Sequence, residues 1–486
     1  MNRELSRDIA LADGLRPADR NRVLKLCEVW RKRSKRNLVR TDYYRMHRRL
    51  RDLGLSIPPE LRSLQQASGW PAKAVDSLGV RSQFDGFTCT DDDVCDTLAE
   101  IVSSTGLKRK YRQAVRSELT HSCSFLTVTA GDPSAGDPGV VINAYPATSA
   151  AAIWDRPRNR IDCGLVVVDS ARDGGRDIPT WVDVYTSDAV IRIRRGTSGR
   201  WRAEYLEGYE MGRCLMEPLA YDADLERPFG RSRISRAVMS ITDNAMRAAL
   251  RSEVSAEFFT APQKYLLGAD EESFSGTTKW DAYIGTIFAV SKDADGDVPQ
   301  FGQLAQGSMQ PHIDYMRSLA ARFSGETNVP LSELGVVSDN PASAEAIYAA
   351  KEALVVEAQN LNADNGSALV NVALMAMAIT EGTTFSEQAA RRLVIQPKFR
   401  NPAMPSVVTQ ADAMLKDVQA VPWLAESDVL LEELGFSDDQ IQRLRSDRDR
   451  ATSRALVAAA TSGTGIDLPS ANPSAAAGAL MAGAAR

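Results

Sequence analysis

Histidine is scarce: 486 residues hold only three, His47, His121 and His312. No His-Glu-x-x-His pair and no Gly-x-Ser-x-Gly nucleophile turn occurs, so motifs give no support for zinc-protease or serine-hydrolase chemistry. A catalytic imidazole needs an orienting carboxylate and a nucleophile, and each histidine reads instead as a helix-surface residue. The Gly-x-x-x-x-Gly-Lys-Ser/Thr loop that cradles nucleotide phosphates is missing as well, which removes the sequence mark of an NTP motor. The six cysteines (Cys27, Cys89, Cys95, Cys123, Cys163, Cys214) show no Cys-x-x-Cys spacing. Metal and disulfide frameworks need clustered ligands, so free thiols in a reducing compartment are expected. Residues 1–14 carry charges with no apolar stretch behind them, and no secretory signal is expected. The longest uncharged run in the apolar part of the C-terminal half, 365–380, includes Ser367 and Asn371 and is too short and polar to span a bilayer comfortably. The expectation is a soluble intracellular protein with no cofactor, no metal and no membrane partner.

What is present suits a folded chain. Apolar residues make up 44% and charged residues 25%, enough to bury a core, and the length suits about three units. The formal net charge of −5 is unevenly placed. Residues 1–62 hold 17 Lys/Arg against 8 Asp/Glu, leaving the remainder at −14. Such asymmetry points to polyanion contact or to a solvated basic helix, and composition alone favours the helix.

Periodicity places the elements. Helices are expected over 20–34, capped by Asp19, over 42–53, capped by Thr41, and over 91–121, capped by Thr90 with Asp91, Asp92 and Asp93 on the positive end of the dipole. From 124 to 221 the pattern turns to period two, giving strands at 125–128, 140–142, 165–168, 181–185 and 190–194. Gly196-Thr197-Ser198-Gly199 would join the last of these to 201–205 as a hairpin. A long helix follows over 232–260, closed by Pro262. Residues 263–308 read as a small acidic β element with strands near 265–267, 286–290 and 298–301. A short helix over 312–323, a Gly/Ser/Asn/Pro-containing stretch over 324–341 and a long alanine-rich helix over 341–380 come next, the last capped by Asn340 with Asn365-Gly366 as its weak point. Residues 406–457 are helical and amphipathic, and 461–486 form a low-complexity, disordered tail. Asp293-Ala294-Asp295-Gly296-Asp297 has the alternate carboxylates of a calcium loop, but its sixth position is Val298 and its twelfth Leu304, so an acidic turn is the better reading.

The order of these elements resembles the portal proteins of tailed bacteriophages, in particular those of phages infecting Gram-positive and actinobacterial hosts. Tyr43-Tyr44-Arg45-Met46-His47 with Leu50 and Ile57-Pro58 is similar to the family's opening, and Gly69-Trp70, Val75-Asp76, Arg81 and Gly86-Phe87 to its next helix and turn. Pro228-Phe229-Gly230-Arg231-Ser232-Arg233-Ile234 resembles the approach to its stem helix. Ala261-Pro262-Gln263-Lys264 with Gly268 resembles the exit, and Ser338-Asp339-Asn340-Pro341-Ala342-Ser343-Ala344 the start of the helix after the tunnel loop. The phrases span roughly residues 40–400. Where the family shows Gly-x-x-Pro-Val before the stem, Met211-Gly212-Arg213-Cys214-Leu215-Met216-Glu217-Pro218 shifts the proline, which leaves the local turn open.

The resemblance implies an α+β ring subunit: a wing at 1–225, a stem helix at 226–262, a clip at 263–308, a second stem helix at 309–323, a tunnel loop at 324–341, a long helix and crown at 342–460, and the tail. It implies a homo-oligomeric ring, usually of twelve, in the capsid vertex of a virion assembled in the host cytoplasm, through which double-stranded DNA is packaged and ejected. Implied partners are the terminase large subunit, the head–tail adaptor and the major capsid and scaffolding proteins. Arg247 and Arg251, four apart on one helix face, are candidates for the DNA channel or for a neighbouring subunit's carboxylates. Glu326, Asn328, Ser332, Glu333 and Asp339 are channel candidates because 325–345 carries no Lys or Arg, and a lining poor in cations does not grip DNA. Asp270, Glu271, Glu272, Asp293, Asp295 and Asp297 are candidates for docking on the clip. The expectation is a structural protein, not an enzyme. A head–tail adaptor or other structural ring protein is the alternative, disfavoured by length, and a packaging enzyme is disfavoured by the missing phosphate loop.

Overall fold

In the computed structural model, residues 3–50, 67–173, 176–206, 208–260, 264–267, 300–303, 308–336, 349–403, 407–436 and 438–461 are described. Helix α1 (Arg3–Ala10) leads into α2 (Pro17–Tyr44), which Pro17 opens at its first position, where no backbone N–H is needed. The first expected helix is longer at both ends, while the one expected over 42–53 is met only at 42–44: residues 45–50 are turn and coil, and 51–53 lie outside the described residues. Asp19 lies inside the first turn of α2 and accepts from the Tyr205 hydroxyl at 2.7 Å, so it is no N-cap. Thr41 turns its hydroxyl back to the Asn37 carbonyl at 3.1 Å, so the helix runs through it rather than starting there.

After α3 (Trp70–Gly79) and β1 (Phe84–Cys89), α4 (Asp92–Thr105) and α5 (Leu107–His121) replace the single helix expected over 91–121. Gly106 is the reason: at φ +63° it adopts the left-handed conformation that ends α4, and α5 starts from it. The N-cap is Asp91, which accepts from the Asp93 N–H, not Thr90.

The β region follows the period-two reading, with additions. β2 (Cys123–Ala130), β3 (Val140–Pro146), β4 (Ala150–Asp155), β5 (Arg160–Asp173), β6 (Arg176–Tyr185), β7 (Val190–Arg195), β8 (Trp201–Leu206) and β9 (Met216–Ala220) form two sheets. Strands β4 to β8 make an antiparallel meander in chain order, including the expected β7–β8 hairpin. The other sheet runs β3-β2-β9, and Pro218 sits within β9 opposite Phe125. Its central strand, β2, is buried on both faces over six residues, because α5 and the long helix described below both pack against it.

Helix α6 (Arg236–Thr260) begins four residues later than expected. The preceding serines take up turn bonds instead: Ser232 Oγ donates to the Thr120 carbonyl at 2.6 Å, and Ser235 Oγ accepts from the Val238 N–H at 3.1 Å. β10 (Lys264–Leu267) and β11 (Gln300–Gln303) pair antiparallel. The strand expected over 286–290 lies outside the described residues. α7 (Gln310–Thr327) extends four residues past its expected end and packs on α6, so the first part of the expected loop is helix. A short 3-10 turn, Leu331–Leu334, follows.

Helix α8 (Glu352–Glu381) holds the uncharged run noted above; the Asn340 cap lies outside the described residues. Its middle is buried almost all round, the mark of a core helix, and no single described helix is long and apolar enough to cross a membrane. Asn365-Gly366 is no weak point. Gly366 lies where the later segment Ile395–Phe399 packs on α8, and a Cβ there would meet Pro397 Cγ at 2.8 Å. After α9 (Phe385–Gln388), β12 (Ile395–Phe399) returns to pair with β1.

Two cores result. Ile9, Val23, Leu26 and Trp30 of α1 and α2 pack on Leu165, Val184, Ile191 and Ile193 of the five-stranded sheet. The larger core gathers α3 to α8 and the three-stranded sheet around Tyr111, Leu126, Phe323 and Leu374. The described residues after Ala403 form a second unit with α10 (Val407–Ala420), α11 (Asp428–Glu433) and α12 (Asp438–Thr461), and Arg445 is paired to Asp428. These fall in the expected helical region. The expected tail lies outside the described residues from 462 onward.

Candidate functional site

Arg233 gathers four parts of the chain. It stands just before α6, and its side chain is only 3% exposed. A guanidinium has five donors in a planar fork, so burial demands several acceptors at once. They are present: Nε donates to the Ala74 carbonyl of α3 at 2.5 Å and Nη2 to the Thr327 carbonyl ending α7. Nη1 donates to the Tyr221 hydroxyl at 3.1 Å and pairs with Glu357 on α8. Tyr221 donates to the same carboxylate, and burial holds its phenol above the usual range. Asn328, in the left-handed conformation that closes α7, donates to the other Glu357 oxygen at 3.3 Å. The residues before α6, the end of α7 and the long helix α8 thus converge on one ion pair.

Further bonds lock the same junction. Tyr43 at the end of α2 donates to Asp243 on α6 at 2.8 Å; burial, then this bond, pushes the Tyr43 phenol up to about 12. Trp70 of α3 packs on Phe323 of α7 with ring centres 5.3 Å apart. His121 is buried, contrary to expectation. Its ring meets the Thr41 hydroxyl at 2.9 Å and the Ser117 hydroxyl at 3.0 Å, and burial, then Arg40, lowers its pKa to about 4. His47 is exposed and His312 half-buried.

The candidates from the sequence fall into three groups. Arg247 and Arg251 lie on α6, the first half-buried and donating to Asn244 at 3.0 Å, the second exposed. Glu326 is exposed in the last turn of α7, Asn328 belongs to the junction, and Ser332 is exposed. Glu333 is engaged by α3, accepting from Ser77 at 3.1 Å and pairing with Lys73 at 3.3 Å. Asp339, Asp270, Glu271, Glu272, Asp293, Asp295 and Asp297 lie outside the described residues. Sequence reasoning missed Arg233 and Glu357 as a pair, and no local signal marks it: Arg231, two residues before Arg233, carries the same charge and is exposed. Beside the junction an open cleft of about 1180 Å³ runs between α2 and residues 221–236. No group of three or more His, Cys, Asp or Glu among the described residues is arranged to hold a metal ion.

No family model matches the sequence. The chain is similar to the portal proteins of Mycobacterium phage D29 and Mycobacterium phage L5, each 28% identical over 386 residues that cover 77% of this chain and 77% of the relative. The resemblance read from the residue phrases is thus borne out, down to phages of actinobacterial hosts. Among solved structures, the neck of a native gene transfer agent particle computed with C12 symmetry aligns at TM-score 0.43 and 13% identity, covering 76% of this chain and 89% of that one. The neck of an empty particle computed with C6 symmetry aligns at 0.44 and 13%, covering 75% and 90%.

Proposed function

We propose that this chain is a phage portal protein, a subunit of the ring at the capsid vertex through which double-stranded DNA enters and leaves the virion. The observation that carries this is the similarity to two portal proteins over three quarters of each chain. The fold supports it: α6 runs out, the β10–β11 pair follows, and α7 packs back on α6 and ends at the Arg233 junction. Such a helical hairpin suits a stem carrying a small β clip, and identical copies around an axis would surround a channel with it.

In this reading the protein does no chemistry; a terminase docked on the clip supplies the energy, and a head–tail adaptor later takes its place. The ring would hold twelve copies, assembled in the host cytoplasm with major capsid and scaffolding proteins. DNA must slide, and each phosphate neutralised by a cation adds salt-dependent grip, so a lining with few cations serves passage. The purified chain should therefore give a closed oligomer by native mass spectrometry and a central hole of about 20 Å or more by negative stain, wider than the DNA grooves. A single compact chain under capsid-like conditions, or ATP hydrolysis above background, would overturn the reading. Reversing Arg247 and Arg251 together tests the channel role: the DNA packaged per capsid should fall in rings that still assemble, and normal packaging removes them from the channel.

A further inference from the structure

The cleft beside the junction has a strongly basic wall, with Asp222, Glu226 and Glu326 as the carboxylates that also line it. Arg33, Arg36 and Arg40 stand at i, i+3 and i+7 on α2, one face of a helix, and all three line the cleft. Arg227 and Arg236 line its other side. None of these five has a carboxylate partner among the described residues, whereas neighbouring Arg231 is paired with Asp222 and Asp224. Arg40 donates from Nη1 to the His121 carbonyl at 3.0 Å, but its buried Nε has no acceptor among the described residues. Five guanidinium groups around one open cleft repel one another, and Leu38 and Val39 are exposed on the same stretch of α2. The three carboxylates offset only part of this charge, and an anionic occupant or solvent and salt must screen the rest.

The chain itself carries a matching anion. Helix α4 (Asp92–Thr105) has no Lys or Arg, and its exposed residues Asp93, Asp96 and Glu100 repeat the spacing i, i+3, i+7. None of the three is in an ion pair among the described residues. Both helices pack on α5, so one body carries a basic helix and an acidic helix on a shared support. A closed ring of identical copies needs two different faces that fit head to tail. A second copy is favoured over DNA as the occupant because the acidic row has the same pitch as the basic one and each row spans about 10 Å along its helix axis.

We propose that the α2-lined cleft receives the acidic face of α4 from the next copy of this chain, so that opposite-charge rows form the lateral contact of the ring. This deepens the portal reading and rests on it. The test compares the wild type with R33E/R36E, with D96R/E100R and with the chain carrying all four changes. All are exposed positions, and circular dichroism with thermal melting checks that each chain folds. Assembly is followed by sedimentation velocity at low and high salt. Each double variant should raise the concentration needed for half-assembly by roughly tenfold or more, since like charges then face each other. The four-fold variant should restore it, and added salt should weaken the wild type. Wild-type assembly of either folded double variant, or no recovery in the four-fold variant, overturns the pairing while leaving a ring-forming portal intact. Loss of binding to a short DNA duplex with assembly unchanged also overturns it, in favour of DNA as the occupant. A wild type that never associates overturns the ring reading and the pairing together.

Discussion

Glu118 and His121, three residues apart on α5, are both buried and push stability in opposite directions with pH. Glu118 is fully buried; Asn365 on α8 donates to one oxygen at 2.9 Å, and the other has no partner among the described residues. Burial pushes its pKa up to about 8, so the folded chain keeps a proton that the unfolded chain has already lost. Its contribution is complete below pH 4.5 and lost as pH rises through 8. Glu118→Gln keeps the shape and the Asn365 bond without the charge, and should raise stability on the order of 2 kcal/mol at pH 9 with little effect at pH 4, read from melts across pH. His121 has the reverse sign: its folded pKa lies below the unfolded value, so stability is complete above 6.5 and lost as pH falls toward 4. At Arg233 the fork itself matters. Arg233→Ala leaves the half-buried Glu357 without its cation and the Ala74 and Thr327 carbonyls without their donor, and should cost about 3–5 kcal/mol in chemical denaturation. Arg233→Lys should recover only part, because one ammonium cannot reach Ala74, Thr327 and Glu357 together.

Among the elements, the long helices and the meander were readable in advance because their signals are local. Period two carries β5, β6, β7 and the turn to β8, and the 3–4 repeat of Ile234, Val238, Ile241 and Ala245 carries α6. Boundaries were misread where a residue's use depends on distant partners: Ser232 bonds Thr120, Thr41 contacts His121, and Asp19 accepts from Tyr205. Strand β12 and its partner β1 escaped notice, since residues more than 300 apart in sequence make that pair. Gly366 shows how a local rule fails. Alanine is the better helix former by about 1 kcal/mol, yet Pro397 of β12 occupies the space a methyl group needs. Gly366→Ala should therefore destabilise, by about 1–3 kcal/mol, as a shift in denaturation midpoint.

For the molecule as a whole, both buried cores lie within residues 1–403, and the chain after Ala403 forms a separate unit. A chain ending at Ala403 should fold cooperatively, with a melting temperature within roughly 2–4 °C of the full chain, as scanning calorimetry would report. A larger fall would mean that the helices after 403 stabilise the first unit.

Local pattern alone settled the long helices, most of the meander and the uneven charge, because backbone propensity and side-chain period act over a few residues. The family phrases followed from the same short stretches. Which charges are buried, paired or left facing an open cleft was decided only in three dimensions, where Arg233 meets Glu357 and Arg33 and Arg36 meet no carboxylate among the described residues. A charge's energy depends on its partners and on the water around it, and neither is written in its neighbours along the chain.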